Sequence, residues 1–79
     1  MTFNECCKLS RIENKIKLKD IAEISGKTIS RCSNFENNLN NDIKVAYAYV
    51  RLHLISKNDF IEYGSANGHD WFELFMGVE

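Results

Sequence analysis

The side chains best suited to chemistry here are three cysteines, Cys6, Cys7 and Cys32, and two histidines, His53 and His69. Thiolates and imidazoles ligate metals, or serve as nucleophile and base, but each role demands a spacing that this chain lacks. A structural zinc site takes four ligands, usually presented in close-spaced pairs. No CxxC occurs, and neighbours such as Cys6 and Cys7 cannot readily bridge each other without strain. The cysteines therefore read as small buried or half-buried apolar residues in a reducing compartment. Catalysis finds no better footing. The sequence has no glycine-rich phosphate loop, no paired carboxylates suited to a cleft and no Cys-His pair with an orienting partner. His53, flanked by Arg51 and Lys57, reads as a helix-surface residue rather than a catalyst. Neither an enzyme nor a metal- or cofactor-dependent protein is expected.

The basic residues are more informative. Lys8, Arg11, Lys15, Lys17, Lys19, Lys27 and Arg31 are seven cations against three acids over residues 8–31, a local charge of +4. Residues 1–44 carry eight basic and six acidic side chains, and residues 45–79 carry two and five, so a +2 half precedes a −3 half. This asymmetry fits a basic face on the N-terminal half, or an ordinary solvated surface.

The elements that must position these side chains read as helices. A chain of 79 residues makes one domain, and one this short buries only about 60% of the surface its unfolded form exposes. An apolar share of 44%, with 11% aromatics, suffices for one core. Pairing with a second copy would add stability. With no proline and four glycines, helices joined by short turns are expected. No apolar run is long enough to span a membrane, and the start lacks the basic-then-apolar order of a secretory signal, so a cytoplasmic protein is expected.

Periodicity predicts a first helix over about residues 2–14, with Phe3, Cys6 or Cys7, Leu9 or Ser10, and Ile12 inward. Thr2 and Glu5 form a capping-box pattern at its start. A short helix follows from about 18 to 25, with Leu18, Ile21, Ala22 and Ile24 apolar and Gly26 as its stop. Thr28 caps a third helix to about residue 37, with Cys32 and Phe35 inward. Asp42 caps the longest, about 43–56, and a last short helix carries Phe60, Ile61 and Tyr63. Gly64 and Gly68 bracket a loop, and His69 to Met76 finishes the chain as a helix or an extended strand. The fold expected is all-α, five helices over residues 1–66, with a short aromatic segment over 67–79.

Residues 21–38 carry the functional signal. Ala22 supplies the small residue at a helix crossing, Gly26 a turn tolerant of positive φ, and Thr28, Cys32 and Phe35 a capped second helix with an inward face. This stretch resembles the DNA-binding domain of the Cro and lambda-repressor-like (Xre-type) helix-turn-helix family. The resemblance rests on Ile21-Ala22, Gly26-Lys27-Thr28, Cys32-Ser33, Glu36 and Asn38, in register over eighteen residues. It implies a lambda-repressor-like five-helix fold in which the second helix of the motif enters the major groove of duplex DNA.

Carried over by position, the resemblance puts Ile29, Ser30 and Asn34 on base edges, with Arg31 on bases or phosphate. Asn34 suits a bidentate contact to adenine, and Ile29 a thymine methyl. Thr28, Lys19, Lys27 and Lys44 would lie near phosphates, which fix register without reading sequence. Each position has a plainer alternative: solvated helix surface for Ser30 and Asn34, packing for Ile29, and an ion pair with Glu36 for Arg31. The sequence also departs from the family's pattern. Leu18 stands where a polar phosphate contact is usual, Lys27 replaces an aliphatic residue, and the Asn40-Asn41-Asp42 loop brings an acid where basic residues are common.

Trp71, Phe72 and Phe75 suit a two-fold dimer interface, or alternatively a cap folded over their own core. A dimer would set two reading helices ~34 Å apart on a near-palindromic site. Two functions are thus expected. One is a sequence-specific transcriptional regulator, a repressor of phage or prophage type, that binds a DNA operator as a homodimer. The other is a helix-turn-helix scaffold that binds another regulatory protein, as an antirepressor or repressor modulator does.

Overall fold

Five helices make up the described part of the chain, residues 1–66 of a computed structural model. They are α1 (Phe3–Glu13), α2 (Leu18–Ser25), α3 (Ile29–Glu36), α4 (Ile43–Arg51) and α5 (Lys57–Ala66), with no strand among the described residues. The protein is all-α, as its periodicity predicts.

Each start follows from local chemistry. Thr2 Oγ1 accepts from the Glu5 N–H at 3.1 Å while Glu5 Oε1 accepts from the Thr2 N–H at 2.8 Å, a complete capping box. Thr28 Oγ1 caps α3 through the Arg31 N–H at 3.1 Å, and Asp42 Oδ1 caps α4 through the Lys44 and Val45 N–H groups.

The ends share a device. The chain turns left-handed after every helix from α1 to α4, at Lys15, Gly26, Asn38 and His53, with φ between 57° and 73°. After α4 the His53 N–H reaches Val50 O and the Leu54 N–H reaches Tyr49 O, the Schellman pattern. The same pairings close α1 and α3. Two expectations are corrected here. The fourth helix stops at Arg51 rather than about residue 56, so His53 occupies a left-handed turn instead of a helix surface. Gly64 lies within α5 and does not open a loop.

Cys7, Ile21, Cys32, Phe35, Val45, Ala46, Ala48, Tyr49 and Phe60 form the fully enclosed core, with Ala22, Val50 and Tyr63 at its margin. Rings bind the layers together: Phe3 stacks on Tyr63 at 4.2 Å, joining α1 to α5, and Phe35 stacks on Tyr49 at 5.8 Å, joining α3 to α4. Helix α1 is the surprise. Its Leu9 and Ile12 face solvent, while Asn4, Cys7, Ser10 and Arg11 turn inward or toward neighbouring elements. The polar members each find a partner. Asn4 Nδ2 donates to Phe35 O and Asn40 O, and Ser10 Oγ donates to Leu54 O at 2.7 Å. No buried side-chain polar atom among the described residues lacks a partner.

Candidate nucleic-acid interface

The α2–turn–α3 unit is built around one carbonyl. Ala22 O accepts from both Gly26 N–H, at 2.9 Å, and Lys27 N–H, at 3.2 Å, which folds the chain over the end of α2. Gly26 holds φ +73°, a conformation that costs a side-chain-bearing residue roughly 1–2 kcal/mol. Thr28 then restarts the helix. The inward face of α3 is Cys32, Phe35 and Glu36, and its outward face is Ile29, Ser30, Arg31 and Asn34.

The outward row is what a ligand would meet. Ile29 is 52% exposed on the first turn, so the packed alternative for this residue does not hold. Ser30 and Asn34 are exposed, with no side-chain hydrogen bond among the described residues. Lys19 on α2 and Lys44 on α4 are exposed and form no ion pair there. Thr28 is exposed too, with its hydroxyl committed to the α3 cap.

Asp42 organises the remaining cations. Its side chain is only 7% exposed; Oδ2 lies 2.5 Å from Arg31 Nε and 3.9 Å from Lys27 Nζ. Burial works against ionisation of this carboxyl. The hydrogen bonds from Arg31 and from the Lys44 and Val45 amides outweigh that, and Lys27 adds to them, so its pKa falls below the ordinary value. The acid that stands in this loop where basic residues are common is thus flanked by two cations. Arg31 pairs with Asp42 and not with Glu36.

Glu36 is engaged elsewhere, in a network that sequence reasoning missed. Arg11 donates from Nε to Oε2 at 2.6 Å and from Nη2 to Oε1 at 3.0 Å, and the Tyr49 hydroxyl donates to Oε2 as well. The side-chain hydrogen bond to Glu36 raises the Arg11 pKa further, and burial together with the Glu36 bond pushes Tyr49 up, so each keeps its proton. Through this carboxylate, α1 and α4 both grip the C-terminal end of α3. The sequence signal was Glu36 itself, a motif position read there only as an alternative partner for Arg31.

Two further absences are local. No group of three or more His, Cys, Asp or Glu side chains among the described residues is placed to hold a metal ion. No described helix is long and apolar enough to cross a membrane. Trp71, Phe72 and Phe75, the expected interface residues, lie outside the described residues. Compared with known proteins, the chain matches no family model, no curated protein and no solved structure.

Proposed function

We propose that the chain is a sequence-specific DNA-binding transcriptional regulator, a cytoplasmic repressor of phage or prophage type, that binds its operator as a homodimer through α3. The observation that carries this reading is the outward row of α3. Ile29, Ser30 and Asn34 are exposed on a helix fixed at both ends, by the Thr28 cap and by the Arg11–Glu36–Tyr49 network. Such a row offers an apolar contact, a hydroxyl and an amide to the major groove. Lys19 and Lys44 supply charge for the flanking phosphates, and Lys27 and Arg31 together exceed Asp42 by one positive charge. The resemblance to the Cro and lambda-repressor-like group points the same way, and the residue types of Trp71, Phe72 and Phe75 suit the dimer interface.

A specific feature favours the second reading, a scaffold that binds another regulatory protein. Leu18, half-buried at the start of α2, offers no phosphate donor, and Asp42 tempers two cations of the face. Fluorescence anisotropy separates the two. The labelled duplex is the region upstream of the protein's own gene, the control is a scrambled duplex, and salt is varied for both. Selective binding that weakens steeply with salt supports the regulator. Equal binding to both duplexes transfers the reading to a protein partner.

A further inference from the structure

Arg31 is held at three points. Its N–H donates to Thr28 Oγ1 at 3.1 Å, its carbonyl accepts from Asn40 Nδ2 at 3.2 Å, and its Nε donates to Asp42 Oδ2 at 2.5 Å. The holding residues are themselves fixed. Asn40 Oδ1 accepts from the Asp42 N–H at 3.1 Å, and Asp42 Oδ1 is bound to the first amides of α4. Yet the Arg31 side chain stays 51% exposed, beside Ile29 and Ser30 on the first turn of α3. Its Nη1 and Nη2 make no hydrogen bond among the described residues.

We propose that Arg31 is a specificity-determining residue that reads a guanine, with Asp42 as the residue that positions it. The inference rests on the DNA reading above and names the base that this site takes. A guanidinium tied at Nε keeps two terminal N–H groups in a planar fork, and that fork matches the O6 and N7 acceptors of guanine in the major groove. Because Asp42 holds the fork in place before binding, little side-chain freedom is lost on contact. Residues on the first turn of a reading helix are those that reach base edges. A lysine here keeps the charge and can still donate to guanine, but its single ammonium lacks the planar fork that Asp42 holds in place.

The test is selection of bound sequences from a randomised duplex library by the full 79-residue chain. The variants are Arg31→Ala, Arg31→Lys and Asp42→Asn. Arg31 is exposed and asparagine is a good N-cap, so the folds should persist, which circular dichroism checks. The wild type should enrich guanine at one fixed position of each half-site. Arg31→Ala should lose that preference by roughly tenfold or more while keeping its other preferences, and Arg31→Lys should keep only part of it. Asp42→Asn should weaken it while raising affinity for unrelated duplexes. Guanine selection that survives in Arg31→Ala shows that Arg31 does not read the base and overturns the inference, leaving DNA binding intact. Unchanged selection in Asp42→Asn overturns the positioning role. A wild type that enriches no sequence overturns the DNA reading itself, and this inference with it.

Discussion

Arg11 and Glu36 meet side-on between α1 and the end of α3, with both guanidinium–carboxylate hydrogen bonds at 3.0 Å or less and Glu36 only 3% exposed. Two further bonds complete the arrangement: Tyr49 donates to the carboxylate, and Arg11 Nη1 donates to Ile16 O at 3.0 Å. A buried pair is neutral when both partners are replaced together and costly when one is left alone, because the remaining charge has neither water nor partner.

Removing one partner should therefore cost more than removing both. Arg11→Met and Glu36→Leu should each destabilise the fold by about 3 kcal/mol, whereas the two together should cost less than the sum of these single changes. Urea denaturation of the four proteins measures this. Strictly additive losses would show that the pair carries no coupling.

The left-handed turns give a second prediction. Lys15 and His53 hold φ near 60° with side chains that disfavour it, whereas Gly26 does so freely. Lys15→Gly and His53→Gly should each raise stability by about 0.5–1 kcal/mol. Gly26→Ala should lower it by about 1 kcal/mol. No atom lies within 4 Å of a Cβ at Gly26, so that loss is conformational and not a clash. A neutral Gly26→Ala in thermal unfolding would remove the turn argument.

How far these features were legible in the sequence depended on the reach of each interaction. Thr2 with Glu5, Gly26, Thr28 and Asp42 act within a few residues, and each does what its local pattern implies. The inward face of α1 was not legible. Its polar residues earn their burial from Glu36, Phe35 O, Asn40 O and Leu54 O, between 25 and 44 positions away. Apolar spacing alone pointed to Leu9 and Ile12 instead. The end of α4 was hidden because a histidine takes the left-handed position that glycine usually marks. Arg31 and Glu36 lie five apart on one helix, about 140° around it, so one faces outward and the other toward α1. That angle rules out the pairing which sequence proximity suggested, and it leaves Arg31 to Asp42.

Asp42 should also shape the response to acid. Its folded pKa lies below the ordinary 3.8, so its contribution to stability is complete above the unfolded value and drains away as pH falls through the folded one. Wild type should then exceed Asp42→Asn in stability at neutral pH, and the gap should close below about pH 4. Urea midpoints of both proteins across that range test this. A gap that stays constant would mean that the asparagine loses a hydrogen bond rather than a charge.

The outward face predicts two kinds of loss on DNA, which differ in what they leave behind. Lys19→Gln and Lys44→Gln remove charge from exposed positions and should weaken binding to every duplex alike, each lowering the salt slope by about 0.9. Asn34→Ala and Ile29→Ala remove an amide and a methyl-bearing chain from the outward row of α3. They should relax discrimination at one base pair each, by ~1–3 kcal/mol for Asn34, with the salt slope unchanged. All four side chains are exposed, so the fold does not confound the comparison. Anisotropy titrations against single-base operator variants, at several salt concentrations, separate the classes. An Asn34→Ala protein that still discriminates every base pair would remove Asn34 from the reading set, since a residue that reads a base cannot be deleted without loss at that base.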